Sequence, residues 1–193
     1  METSMITQLR AALVALLTLT FLTGVLYPLA VTGVAKAAFP ERARGSLIVR
    51  EGKVRGSALE GQAWDDPKYF WGRPSATAPF PYNANGSAGS NLGPTNPALT
   101  DAIKGRVLAL READPRNVAP VPIDLVTTSG SGLDPHISLA YARWQVPRVA
   151  AATGLSVPTL DAMIDAATEP APWGYLGQAG VNVTRLNLAL SQR

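Results

Sequence analysis

Cysteine is absent from the 193 residues and histidine occurs once, at position 136. The first absence removes disulfides, thiol nucleophiles and thiolate metal sites together. The second nearly excludes His-rich zinc chemistry and a Ser-His-Asp triad with a spare base. Charge is sparse as well: 17 Lys and Arg against 14 Asp and Glu leave a formal +3. The basic residues are scattered, with no run or stripe, so a nucleic-acid partner has little support. Carboxylates are few and unpaired, which suggests neither a glycosidase nor a two-metal site. These absences favour a structural or accessory role over a self-sufficient hydrolase.

What is abundant is one uncharged run. Residues 11–35, AALVALLTLTFLTGVLYPLAVTGVA, lie between Arg10 and Lys36 without a single charge. As a helix rising ~1.5 Å per residue, the run is ample for a hydrocarbon core of ~30 Å. A lone span must satisfy its backbone internally and is therefore a helix. Two rivals exist. Ala35-Lys36-Ala37 has the small-x-small form of a signal-peptide cleavage site, but the run exceeds a signal core of ~7–15 residues and Arg10 is its only basic lead. A buried globular helix is opposed by apolarity on every side. The reading is an uncleaved anchor. Small residues, Ala11 and Ala15, then Thr20 and Gly24, offer a close approach to a partner helix through Ala15, Thr20 and Gly24, although such residues are common in spans. Orientation stays open, because Arg10 flanks one side and Lys36, Arg42 and Arg44 the other, and long domains translocate regardless of that count.

The expected organisation is a flank (1–10), a transmembrane helix (11–35), a connector (36–45) and a single soluble α+β domain (46–193) tethered by that one N-terminal helix. Residues 46–54 read as a hairpin turning at Gly52. Asp66-Pro67 opens a short turn leading to three aromatics, Tyr69, Phe70 and Trp71, which suit a core or docking plug better than a ligand cage. Residues 72–97, rich in Pro, Gly, Asn and Ser, read as an ordered surface loop tethered by Phe80, Tyr82 and Leu92. Helices are expected at 96–113, with Leu99, Ala102, Ile103, Val107 and Leu110 inward; at 138–153, kinked or restarted at Pro147; and at 156–167, with Leu160, Met163, Ile164 and Ala167 inward. The closing segment 182–191 fits a helical face. Residues 123–127 read as a central strand feeding the loop Ser129-Gly130-Ser131-Gly132.

That loop is the best candidate site. Its glycines let backbone N–H groups face a concavity, and a helix follows. No Gly-Lys-Ser/Thr completes a Walker loop, and ordinary turn chemistry is the plainer explanation, with Asp134-Pro135 turning the chain into the next helix. His136 beside Asp134 has the makings of an acid–base pair, yet nothing nucleophilic is organised around it, and a turn histidine is the plainer reading.

Several long motifs then converge. Tyr69-Phe70-Trp71-Gly72-Arg73-Pro74-Ser75-Ala76, Tyr82-Asn83 and the run from Gly89 to Asn96 resemble the C subunit of the Kdp potassium-transporting P-type ATPase of bacteria. So do the run from Ser129 to Ser138, Gln145 with Arg148-Val149-Ala150, and Val181-Asn182-Val183 with the run from Leu186 to Leu190. The resemblance covers essentially the whole chain, although the tail ends soon after Leu190. It implies a non-catalytic subunit of a high-affinity potassium-import complex in the inner membrane, crossing it once. Its partners would be a potassium-channel-like subunit, an ATP-hydrolysing subunit and a small peptide subunit, besides membrane lipid, with no nucleic acid. In that family this subunit is described as a catalytic chaperone that raises the ATP affinity of the hydrolysing subunit, and the position of Gln145 is assigned a nucleotide contact. By resemblance the nucleotide-binding residues would be Ser129, Gly130, Ser131, Gly132 and Gln145, with no catalytic residue and no metal. No cofactor would be tightly bound, and ATP would be met only jointly with the hydrolysing subunit. The same family is pictured with this domain outside the cytoplasm, where ATP is not found, so the domain is expected to be periplasmic, with the Ser-Gly loop and Gln145 serving structure or subunit contact. The alternative from composition alone is a membrane-anchored extracytoplasmic binding or hydrolytic module unrelated to transport.

If the apolar run is an anchor and not a signal, amino-terminal sequencing of the membrane-bound protein will begin at or beside Met1. A start at Ala38 would overturn the anchor.

Overall fold

The computed structural model describes residues 5–192, so the expectation for Met1 lies outside them. The chain divides into two compact units, one ending at Leu47 and the other beginning at Ile48.

The first unit is dominated by one apolar helical rod, Met5–Ala38, which contains the expected span and is long and apolar enough to cross a membrane. Helix α1 (Met5–Phe21) passes through a π-helical turn (Leu22–Leu26) into α2 (Tyr27–Ala38). The wide turn falls just ahead of Pro28, whose missing N–H and ring disturb the ordinary bonding of the preceding turn. The Tyr27 N–H reaches back to the Leu22 carbonyl. Within the rod Thr20 and Gly24 are neighbours: a Cβ on Gly24 would lie 3.9 Å from Thr20 Cγ2. Ala15, five residues before Thr20, is turned about 140° away from it round the helix. The expected small face is therefore two separate pairs, Ala11 with Ala15 and Thr20 with Gly24. A four-residue helix, α3 (Pro40–Ala43), follows, with Pro40 at its first position.

A hairpin, β1 (Leu47–Arg50) and β2 (Lys53–Ser57), close to its expected place, begins at the last residue of the first unit and opens the second. The helices also fall where periodicity puts them. Helix α4 (Pro97–Ala113) is capped by the Asn96 side chain, which accepts from the Ala98 N–H at 3.0 Å. Helix α5 (Leu139–Thr153) is capped by Ser138, and α6 (Val157–Ala166) by Ser156. Helix α7 (Val183–Leu190) is capped by Asn182. Pro147 neither kinks α5 into two helices nor restarts it. The helix runs unbroken to Gly154, whose left-handed φ of 74° ends it.

The expected strand at 123–127 is not formed. Ile123–Leu125 is a single 3₁₀ turn between Pro122 and Val126, and Ile123 is 76 % exposed. Alternation of apolar residues is too weak a signal over five residues beside two prolines, because a 3₁₀ turn buries Leu125 and Val126 equally well. The sheet lies elsewhere. Three very short strands, β3 (His136–Ile137), β4 (Thr168–Glu169) and β5 (Gly180–Asn182), pair antiparallel in the order β3-β5-β4. Ile137 stands opposite Val181, and Val181 opposite Thr168. Ile137 and Val181 are buried on the face covered by helices α5 and α7, while His136, Asn182, Gly180 and Glu169 share the other face.

Phe70 completes the core from an extended segment that has no strand partner. It packs with Leu110, Leu125, Tyr141, Val149, Leu160, Ile164 and Leu186. Its backbone is paired by a side chain instead: the Asn187 amide accepts from the Phe70 N–H at 2.9 Å and donates to the Phe70 carbonyl at 2.8 Å. The long 72–97 loop is ordered, as expected, but not by Phe80, which is 56 % exposed. Tyr82 holds it, donating its hydroxyl to the Arg73 carbonyl at 2.7 Å with its ring against Gly61 and Gly72. A Cβ at either glycine would fall 2.4 Å from a Tyr82 atom, so neither position admits a side chain. Burial of that ring raises the Tyr82 pKa to about 12.

Replacing Asn187 with Ala strands both polar groups of the Phe70 backbone in the core. The expected loss is about 2–4 kcal/mol, read by denaturant unfolding of the detergent-solubilised chain. A loss below ~0.5 kcal/mol would contradict the pairing.

Candidate functional site

Gln145, on the inward side of α5, is fully buried. Its amide repeats the Asn187 arrangement one residue further along: Oε1 accepts from the Trp71 N–H at 2.7 Å, and Nε2 donates to the Trp71 carbonyl at 3.1 Å. Successive residues of an extended chain point their backbone groups to opposite sides, so Asn187 takes Phe70 from α7 and Gln145 takes Trp71 from α5. The second lone pair of Oε1 receives Arg148 Nη2 at 2.7 Å. The Arg148 guanidinium lies 3.9 Å over the Trp71 ring and also donates to the carbonyls of Pro67 and Tyr69. Burial pushes its pKa down to about 10, still far above neutrality, so it remains a cation. Both polar atoms of the Gln145 side chain are thus engaged within the core, and only the second Nε2 hydrogen is left outside these bonds.

The Ser-Gly loop is built differently from its expected setting: it follows the 3₁₀ turn and precedes β3. Ser129 is buried and its Oγ accepts from the Gly132 N–H at 2.9 Å, while Ser131 Oγ accepts from the Leu133 N–H at 3.1 Å. The Ser129 N–H goes to the Pro74 carbonyl at 3.4 Å. The loop's carbonyls receive the 72–97 loop, Ser131 from Ala88 N–H and Ser87 Oγ, both at 3.0 Å, and Gly132 from Ser75 Oγ at 2.7 Å. Gly132 adopts φ 69°, and a Cβ there would meet Thr77 Cγ2 at 2.6 Å and the Ala88 carbonyl at 2.7 Å. Gly130 and Ser131 are exposed, and they edge an open cavity of about 430 Å³ with Glu60 and Asp134. Two carboxylates beside the loop oppose a phosphate. Gln145 does not line that cavity, and the bonds of the Ser-Gly loop and of Gln145 go to different partners.

A third cluster was only half legible. His136 Nε2 lies 2.9 Å from Glu169 Oε2, and its Nδ1 lies 3.5 Å from Asp134 Oδ1. Arg73 reaches Asp134 at 3.5 Å, and Arg185 reaches Glu169 at 3.2 Å. The carboxylates are thus paired around the histidine, contrary to the sequence reading, because β4 and β3 flank β5 and bring residues 33 apart together. Gly180 leaves room for the ring: its Cβ would stand 3.1 Å from His136 Cβ. No local pattern around Glu169 or Arg185 announces this meeting. Beside it lies a cavity of about 530 Å³ lined by Arg73, Asp124, Asp134, His136, Ser138 and Gln178 among others. Among the described residues no group of three or more is placed to hold a metal ion. Ser138, the hydroxyl nearest in sequence, is engaged in capping α5.

Hydrogen bonding to Asp134 raises the His136 pKa against the opposing effect of burial, with Glu169 adding to the rise. At Asp134 burial is the largest influence and pushes upward. It is outweighed by hydrogen bonds from the His136 side chain and backbone, with the charges of His136 and Arg73 adding, so the pKa falls below 3.8. The raised histidine stabilises fully below its unfolded value of about 6.5, and the contribution is lost as pH rises through the folded value. The depressed Asp134 acts in a separate window: its contribution is present above 3.8 and lost as pH falls through the folded value. His136→Gln should therefore flatten the decline in thermal stability above about pH 6.5, and should also weaken the acid limb, because the His136 side chain is the first of the groups that lower Asp134. An unchanged alkaline slope would contradict the double pairing.

With this geometry established, the chain can be set beside known proteins. The family model described as "K+-transporting ATPase, c chain" matches residues 9–192. A protein of Sorangium cellulosum named potassium-transporting ATPase KdpC subunit is 61 % identical over 186 residues, covering 96 % of this chain and 98 % of that one. Proteins of the same name from Polaromonas naphthalenivorans (61 % identical, 94 % and 93 % covered) and Methylococcus capsulatus (58 %, 96 % and 98 %) are similar. These matches run through the apolar rod, the clamped aromatic segment and the Ser-Gly loop alike, and the chain belongs to the KdpC family, the c chain of K+-transporting ATPases.

Proposed function

We propose that this chain is a non-catalytic accessory subunit of a potassium-importing ATPase, anchored in the bacterial inner membrane by the rod Met5–Ala38. Family membership carries that reading. It assembles with a potassium-channel-like subunit, the ATP-hydrolysing subunit and a small peptide subunit. Its part in the reaction is to stabilise the assembly and raise the hydrolysing subunit's affinity for ATP.

What supports an indirect route is the occupation of Gln145. The amide is fully buried and bonds Trp71 twice and Arg148 once, so turning it out toward a nucleotide would leave both backbone groups of Trp71 unpaired. The Ser-Gly loop contains no lysine to neutralise a triphosphate, and Glu60 and Asp134 stand beside it. We therefore read both as framework, and the effect on ATP as indirect, through subunit contact. A single span puts the whole domain on one side of the membrane, and an indirect effect on ATP suits the outer side.

Two measurements test this. Potassium-stimulated ATP hydrolysis by the complex should show a raised KM for ATP, with a smaller change in kcat, when this chain is withheld; an unchanged KM removes the affinity role. A cysteine at Ser87, exposed in this cysteine-free chain, should react with an impermeant thiol reagent in intact cells whose outer membrane admits it. Labelling only after the inner membrane is opened would place the domain in the cytoplasm and revive a direct ATP contact.

A further inference from the structure

Arg106 interrupts the inward stripe of α4. It stands three residues after Ile103 and four before the buried Leu110, a spacing that sets the three on one side of the helix. A cation turned toward a core is ordinarily paired. Among the described residues, however, Arg106 makes one hydrogen bond, from Nη1 to the Val126 carbonyl at 2.6 Å, and no carboxylate lies within 4 Å of it. Partial burial lowers its pKa, yet a guanidinium stays charged.

Arg106 lines a cavity of about 310 Å³ that belongs wholly to the second unit. Trp64, Trp71, Tyr141, Leu110 and Leu125 supply its apolar wall. Two of their polar groups are spent: Trp71 Nε1 donates to the Asp66 carbonyl at 3.2 Å, and the Tyr141 hydroxyl donates to the Gly72 carbonyl at 2.7 Å. The Trp64 Nε1–H is buried without an acceptor, so the wall carries a surplus of donors. Charge is one-sided as well. The Trp71 ring already has the Arg148 guanidinium 3.9 Å from its centroid. Asp65, the one carboxylate among the described lining residues, is exposed, and water and salt screen it.

The size and the mostly apolar lining with few polar groups are those of a small-molecule site. Aromatic walls by themselves would suit an organic cation, but Arg106 and Arg148 repel one. A phosphate monoester brings up to two negative charges, and Arg106 is the single cation in the described lining. A carboxylate matches both its charge and its planar fork.

We propose that this cavity binds a small carboxylic acid with an aromatic or branched apolar body, its carboxylate on Arg106 and its body against Trp64, Trp71 and Leu125. The site is complete within this chain and is independent of the accessory role.

The test titrates the full detergent-solubilised chain with para-fluorophenylacetate and follows the fluorine NMR signal of the acid. Saturable broadening is expected, about tenfold weaker for the neutral para-fluorophenylacetamide and absent for para-fluorobenzylamine. Arg106→Gln brings the acid down to the affinity of the amide. Ala109→Leu, at an exposed position of the lining, fills the cavity and abolishes saturable binding of both, with thermal unfolding unchanged. The amide and Ala109→Leu comparisons stand even if loss of the Val126 bond unfolds Arg106→Gln. An amide that binds as tightly as the acid, an amine that binds more tightly, or saturable binding that survives Ala109→Leu overturns the proposal. So does broadening that never saturates, which is partition into detergent.

Discussion

The second unit depends on two side-chain amides that act as strands. A turn at residues 66–69 delivers Phe70 to the core and Trp71 beside it, yet neither residue belongs to a sheet. Buried backbone groups without partners are costly. Asn187 and Gln145 remove that cost by pairing N–H and C=O of Phe70 and Trp71 from opposite sides, and Arg148 collects the carbonyls of Pro67 and Tyr69. Each amide has one donor and one acceptor placed like those of a neighbouring strand, and being carried on a helix it couples that helix to the segment directly. Helices α5 and α7 are thereby locked to the aromatic plug, and the plug to the rest of the core.

The same economy governs the loops. The β-strands of the sheet are two or three residues long and leave most of the chain between 58 and 96 without regular structure. What holds it is a set of hydroxyls and glycines: Ser75 and Thr77 bond backbone groups of the 72–97 loop, and Gly132 lets that loop pass against the Ser-Gly turn. A motif that resembles an anion cradle in one dimension is, in three, the seam between two loops. Its serine hydroxyls accept from N–H groups two or three residues ahead, the usual chemistry of ST turns.

Neither polar centre is assembled as a catalytic one, which accords with membership of a c-chain family. Around His136 the carboxylates and arginines neutralise each other, and the nearby hydroxyl is engaged in a helix cap. The cluster joins β3 to β4 across Gly180, on the face of the sheet that the helices leave uncovered. Its charge state depends on pH, but its bonds are those of a brace.

Sequence alone determined whatever rests on local physics. The apolar rod follows from twenty-five uncharged residues, and the four helices of the second unit from periodicity and from Asn, Ser and Gly at their ends, which act within one turn. The aromatic plug and the ordered character of the 72–97 loop were legible too, because each reflects composition over a short stretch. Only tertiary structure decided the rest. The strand expected at 123–127 gave way to a 3₁₀ turn, since a strand exists only where a partner edge is offered, and the edge was taken by 180–182. That Gln145 meets the backbone of Trp71, 74 residues away in the chain, is written in neither segment. Glu169 and Arg185 joined His136 for the same reason: a salt-bridge cluster across three strands is set by register, and register is a property of the folded sheet and not of any segment within it.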